Sequence, residues 1–183
     1  MKFRVYLRAL EPDDYLISIK WRQDEEIQNM VGGLKYFVSS EKEKQWVQDA
    51  IFSDDRVVLA VCLKENDKYI GNITLHEIDS HNRSARIPIM IGDKTEWGKG
   101  YAAEASMIMH KFAFNERGLE RMYAHILENN TASLNMYKTC GYKKEGLMRR
   151  SVYKNGMFYN QFILSVLREE FEQAYKDYCE RFK

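Results

Sequence analysis

Two glycines one residue apart open an alanine-rich helix in Glu96-Trp97-Gly98-Lys99-Gly100-Tyr101-Ala102-Ala103-Glu104-Ala105, directly behind a β-type run. No other segment restricts the chain as much, because strand, glycine turn and helix must follow one another within a few residues. Lacking Cβ, the glycines let backbone N–H groups approach an anion, and the helix start adds unsatisfied donors and the positive end of its dipole. The expected ligand is anionic, of phosphate type. Taken alone, a Gly-x-Gly before a helix reads equally well as a tight strand-to-helix turn.

Periodicity supplies the neighbouring elements. Phe3 to Leu7 alternates like a strand, and Pro12 stands where a helix starts without wasting an N–H, with the helix running through Trp21. Gly32-Gly33 breaks that pattern. Ser40-Glu41-Lys42-Glu43 reads as a capping box, Ser40 accepting from a first-turn N–H and Glu43 reaching back, for a helix to about Phe52. Val57 to Leu63 and Tyr69 to Ile78 are strands of an antiparallel hairpin across a polar turn. Ser84 to Ile91 is a further strand, in which Pro88 marks a bulge or an unpaired edge.

From Gly100 to about Glu116 the apolar residues Ala102, Ala105, Met109, Phe112 and Ala113 share one helical face, and Gly118 ends the helix. A strand over Arg121 to Ile126, a helix over Thr131 to Cys140, and a hairpin of Leu147 to Tyr153 with Phe158 to Leu167 around Asn155-Gly156 complete the pattern. The fold class is therefore α/β (α+β): a mixed sheet with helices on both faces. Residues 169–183 form a charged helical tail whose Phe171, Tyr175, Tyr178 and Phe182 pack either on the domain or on a second subunit of a homodimer.

At 183 residues and 45% hydrophobic content, the chain 1–183 is expected to form one domain with one buried core. Its 28 basic and 27 acidic residues leave no electrostatic footprint for nucleic acid or an anionic membrane. The start Met1-Lys2-Phe3-Arg4-Val5 has no apolar leader, and no apolar run approaches a membrane span, so a cytoplasmic protein is expected. Cys62, Cys140 and Cys179 lack the short spacings of a zinc site, and the four histidines form no metal motif, so no metal is expected.

Downstream, Asn130-Thr131-Ala132-Ser133-Leu134-Asn135-Met136-Tyr137-Lys138-Thr139-Cys140-Gly141-Tyr142 gives a polar cap, a short helix bearing a tyrosine, and a Gly-aromatic exit. Together with the glycine loop this resembles the GNAT superfamily of acetyl-coenzyme A-dependent N-acetyltransferases. The Leu7-Arg8-Ala9-Leu10-Glu11, Trp21-Arg22 and Leu167-Arg168-Glu169-Glu170 segments look like its RimJ/RimL and spermidine acetyltransferase branch. Thr95 departs from the pattern, where the family often has Gln or Arg, and Trp97 replaces the residue commonly found before the first glycine. The resemblance implies a mostly antiparallel sheet whose splayed strands, here Ser84 to Ile91 and Arg121 to Ile126, hold coenzyme A. Met90 and Ile91 would then contact pantetheine, and the N–H groups of Gly98, Lys99, Gly100, Tyr101 and Ala102 would meet the pyrophosphate. Lys99 either adds charge there or is simply solvated.

Acetyl transfer needs an amine lone pair, a polarised thioester carbonyl and a proton for the departing thiolate. Tyr137 matches the family tyrosine near the sulfur, which makes it the expected acid; read by itself it is a packed helix tyrosine. Glu77 matches a glutamate of spermidine acetyltransferases and is the candidate base through water, or else a strand-end surface residue. Asn130 caps its helix and, by resemblance, bonds pantetheine. The implied acceptor is a small-molecule amine or a peptide N-terminus. A polyamine such as spermidine is the alternative, and a coenzyme A-binding regulatory module without catalysis is another. Against the polyamine, Asn29-Met30-Val31-Gly32-Gly33-Leu34-Lys35-Tyr36-Phe37 holds no carboxylate, and Arg86 stands where those enzymes tend to carry an acid. A buried or site-facing cation there repels a polyamine by roughly 4 kcal/mol at 4 Å and an effective dielectric of 20.

Overall fold

The computed structural model describes residues 3–32 and 37–181. Strands β1 (Val5–Ala9), β2 (Val57–Leu63), β3 (Tyr69–Asp79), β4 (Ser84–Arg86), β5 (Ile89–Ile91), β6 (Arg121–Leu127), β7 (Lys143–Lys154) and β8 (Met157–Leu167) form one sheet. Their order is β1-β2-β3-β4-β6-β8-β7, with β5 also paired to β3. Only β4 and β6 run parallel among the described residues. Helices α1 (Tyr15–Gln23), α2 (Glu25–Met30) and α3 (Ser40–Ile51) cover one face, and α4 (Tyr101–Asn115), α5 (Thr131–Thr139) and α6 (Arg168–Arg181) the other.

Strand alternation sorts the core into those two layers. Val58, Ala60 and Cys62 of β2 pack with Trp21, Ile27 and Val47 of α1 to α3. Val61, Ile73, Leu75, Ile87, Met122 and Ala124 face Met107, Met109, Tyr137 and Phe171 of α4 to α6. Ser84 to Ile91 divides around Pro88, as its missing donor predicts. Asn155 and Gly156 both take positive φ, 50° and 77°, as a two-residue hairpin turn of the primed type requires.

Three expectations change. The helix α2 escapes the periodicity because it is six residues long; Asp24 caps it, accepting from the Glu26 and Ile27 N–H groups. The cap of α3 is Ser39, whose Oγ accepts from the Lys42 N–H at 3.2 Å, since Ser40 already has helical geometry. Glu43 does not reach back to the cap; it is buried against Ser18. β7 begins four residues earlier than expected, because register shifts at Lys144/Gly146 and Met148/Val152 hide its alternation.

The tail packs on its own chain. Phe171 lies 5.3 Å from both the His110 and Phe114 rings, Tyr178 is buried, and Arg168 donates to the carbonyls of Leu119 and Phe114. Phe182 of the tail and residues 33–36 of the segment noted for its lack of carboxylates lie outside the described residues. Among the described residues no helix is long and apolar enough to cross a membrane.

Candidate active site

The parallel ladder between β4 and β6 holds for three pairs, Ser84↔Arg121 to Arg86↔Tyr123, and its last rung runs from the Ile87 N–H to the Tyr123 carbonyl at 3.0 Å. Pro88 has no N–H to continue it. Past this point β5 follows β3, from Ile73↔Ile89 to Gly71↔Ile91, while β6 follows β8 to Leu127↔Gln161, and the sheet opens between them. Gly71 permits the close approach of β5, because a Cβ there would stand 2.1 Å from the Met90 carbonyl oxygen.

Two bonds fix the phase of β5. The Thr74 N–H donates to Pro88 O at 3.0 Å and the Gly92 N–H to Ile70 O at 2.8 Å. The alternation of an antiparallel ladder then turns the backbone of Met90 toward β3 and that of Ile89 and Ile91 toward the opening. At its apex the Tyr137 hydroxyl donates to Ile87 O at 2.5 Å. At its mouth the Trp97 indole donates to Ile91 O at 2.7 Å. Of the two expected contacts, Ile91 therefore offers its N–H to the opening, whereas Met90 offers only its side chain.

The glycine loop lies at the same mouth. Gly98 and Gly100 have φ of 74° and 85°, and a Cβ on Gly98 would meet nothing within 4 Å. The N–H groups of Gly98, Lys99, Gly100, Tyr101 and Ala102 donate no hydrogen bond to any described residue; internal bonding resumes with Ala103 and Glu104, which donate to Gly100 O. Five consecutive free donors at a helix start form a cradle for an anion. Lys99 is half-exposed and pairs with Glu96 at 2.8 Å, and Glu96 also takes Lys68 at 2.9 Å, so the ammonium braces the loop. Arg4 is a residue the sequence reading missed. It donates to Lys99 O at 2.8 Å, holds the buried Glu104 carboxylate and lies over the Tyr101 ring. No local signal marks it, since Glu104 is 100 residues away.

Tyr137 reaches the apex from the α5 side and is 2% exposed. Its ring meets Tyr142 nearly at right angles, centroids 4.8 Å apart. His110 Nδ1 lies 2.5 Å from the Ser106 carbonyl and must carry the hydrogen, so Nε2 accepts from the Tyr142 hydroxyl at 2.7 Å. Burial pushes the Tyr137 phenol well above its ordinary range and His110 down to about 4. Cys140, also buried, is pushed up to about 12 and is inert as a nucleophile.

Glu77 approaches the apex from the α1 to α3 side, with φ 53° at a break in the β3–β4 register. Its carboxylate accepts from the Tyr123 hydroxyl at 2.7 Å and from Arg86 Nη1 at 2.9 Å. Burial raises its pKa, but the bonds from Tyr123 and Arg86 outweigh that and hold it below the usual carboxylate range. The Arg86 charge is thus offset by Glu77, a partner the sequence reading did not foresee. Asn130 caps α5 by accepting from the Ser133 N–H at 3.0 Å, and its amide donates to Met30 O at 2.9 Å, tying α5 to α2.

On that same face a cleft of about 170 Å³ adjoins β5, bounded by Arg22, Glu43, Trp46, Thr74, Pro88 and Met90 among others. Its position depends on Gly92, where a Cβ would stand 2.0 Å from the Trp21 ring. The Trp21 indole packs against Tyr69 at 4.8 Å, which seats α1 and brings Arg22 beside Glu43. The sequence reading used Arg22 only as part of a family motif and assigned Glu43 to a helix cap.

A family model described as an acetyltransferase (GNAT) domain matches residues 4–143. An uncharacterized N-acetyltransferase of Bacillus subtilis derived from prophage SPbeta, YokL, is 25% identical over 166 residues, 91% of each chain. The putative ribosomal N-acetyltransferase YdaF of the same organism is 33% identical over 102 residues, 56% of this chain and 55% of its own. In fold, the chain resembles a Vibrio cholerae spermidine N-acetyltransferase solved with CoA and spermine, with a TM-score of 0.84 at 22% identity, over 92% of this chain and 98% of the other.

Proposed function

This chain belongs to the GNAT acetyltransferase family, and from that premise we propose that it is an acetyl-coenzyme A-dependent enzyme that acetylates a primary amine of a small molecule or a peptide N-terminus by direct attack. Residues 1–183 act as one domain, in the cytoplasm. The observation that carries this reading is the row of five free N–H groups from Gly98 to Ala102 at the mouth of the split sheet. Such a row suits a pyrophosphate, and the outward backbone of Ile89 and Ile91 suits an amide-bearing arm added to the sheet as a strand.

Acetyl-coenzyme A, when bound, supplies the acetyl group as an activated thioester. An arm laid along β5 from the glycine loop ends near the apex, where Tyr137 holds its hydroxyl. Tyr137 is the proposed donor to the thiolate that leaves as the carbon–nitrogen bond forms. Burial keeps its phenol neutral but also makes it a weaker acid, and the proton it would give is first withdrawn from the Ile87 carbonyl. Glu77 is proposed to receive the amine's proton through water; its lowered pKa makes it a weak base, so its larger part is to offset Arg86 and attract the ammonium. Because Arg86 is offset, the repulsion of polyamines expected from sequence weakens, and spermidine stays the second acceptor to test.

Release of free thiol from acetyl-coenzyme A is the direct measurement, across polyamines, free amino acids, aminosugars, aminoglycosides and N-terminal peptides. Amine-dependent release with at least one of these is expected. A folded protein that binds coenzyme A and releases no thiol with any of them would instead be a regulatory module.

A further inference from the structure

We propose that the cleft beside β5 reads a carboxylate, with Arg22 as the residue that holds it, so that the preferred acceptor is a small amino acid carrying an apolar side group. This rests on the acetyltransferase reading above and narrows it. Arg22 is about a third exposed, and its Nε is buried with no hydrogen bond to any described residue. The nearest acceptor, Glu43 Oε2, lies at 3.4 Å, where the charge is compensated but a well-formed hydrogen bond is not made. Glu43 is 2% exposed, its other oxygen takes the Ser18 hydroxyl at 2.6 Å, and it lines the cleft beside Arg22, so it anchors the guanidinium and offsets part of its charge.

The guanidinium is thereby held in place from its Nε side, while its two terminal nitrogens make no hydrogen bond to a described residue, and that terminal pair matches a carboxylate in two parallel bonds. Trp46, Pro88 and Met90 give the cleft apolar walls, which strengthen a charged hydrogen bond by excluding water. At about 170 Å³ it is smaller than the ~300 Å³ at which pockets for drug-sized ligands begin, so it suits a compact molecule. Arg86, on the same face, repeats the arrangement: one nitrogen is bound to Glu77 and its Nε is buried without a hydrogen bond to a described residue. Arg86 does not line the cleft; Pro88 and Met90 place the Arg22 cleft directly against β5.

The test compares leucine with leucinamide, and phenylalanine with phenylalaninamide, by calorimetric binding to the protein saturated with coenzyme A and by thiol release with acetyl-coenzyme A. The wild-type protein should bind each acid at least tenfold more tightly than its amide. Arg22→Gln should bring the ratio to about one, and Arg22→Lys, which keeps the charge and the ion pair with Glu43 but loses the fork, should retain part of it. An acid-to-amide ratio near one in the wild type overturns the proposal, as does a ratio that survives in a folded Arg22→Gln protein or stays undiminished in Arg22→Lys. Thiol release with amines generally, and no preference for acids, would overturn it and leave the acetyltransferase reading standing. Acid-selective binding lost in Arg22→Gln, with no thiol release from any amine, would support the carboxylate site and overturn the enzymatic reading.

Discussion

The side chain with the most at stake is Tyr137. Removing its hydroxyl leaves the ring on Tyr142, so Tyr137→Phe should keep the fold and the coenzyme affinity while kcat falls about 10²-fold, as for a positioned acid. Steady-state kinetics decide this, and a near wild-type kcat removes Tyr137 from the chemistry. Glu77→Gln should cost less than tenfold in kcat and raise the KM for cationic amines, because it uncovers Arg86. His110 carries a separate expectation. Its folded pKa of about 4 lies below the unfolded value of ~6.5, so the unfolded chain binds the proton first and stability falls as pH drops through that window. Between pH 7.5 and 5 the loss should be about 2 kcal/mol at ~1.4 kcal/mol per unit. Urea unfolding at the two pH values checks it, and a flat profile contradicts it. The place of Tyr137 on a short capped helix was legible from its motif, but its bond to the Ile87 carbonyl and the partners of Glu43 and Arg4 were not. Ser18 is 25 residues from Glu43, and only folding brings such pairs together.

Among the elements, the glycine loop makes the sharpest demand. At a φ of 85°, Gly100 holds a conformation that valine resists, and its bulk would crowd the free donors. Gly100→Val should therefore raise the KM for acetyl-coenzyme A at least tenfold and Gly98→Ala less, both with the fold retained by circular dichroism. Unchanged cofactor affinity in folded Gly100→Val would argue against the cradle. The long helices, the hairpins and the break at Pro88 were legible because period and punctuation are local. The short α2 and the shifted strand β7 were not, since six residues hold too little periodicity and a bulge inverts the alternation.

At the scale of the whole molecule, the sheet consists of two parts joined through three pairs of β4 and β6. The neighbourhood of β4 and β6 was expected only through the family resemblance, and the pairing of β6 with β8 was not legible, because only strands adjacent in the chain announce their pairing. A ligand lying in the opening touches both parts. Coenzyme A at 100 times its Kd adds about 2.7 kcal/mol, which for a chain of this size raises Tm by roughly 5–10 °C. A thermal scan with and without it reads the shift, and no shift at millimolar coenzyme A would rule out tight binding at the opening. The exposed backbone of β5 also bears on solubility. An unpaired strand edge ordinarily recruits strands from other chains and seeds aggregation. Here Tyr137 occupies the Ile87 carbonyl, Trp97 occupies that of Ile91, and Pro88 brings no donor. What is left spans little more than Ile89, too short a template for a foreign peptide, so the protein can keep its sheet open without polymerising.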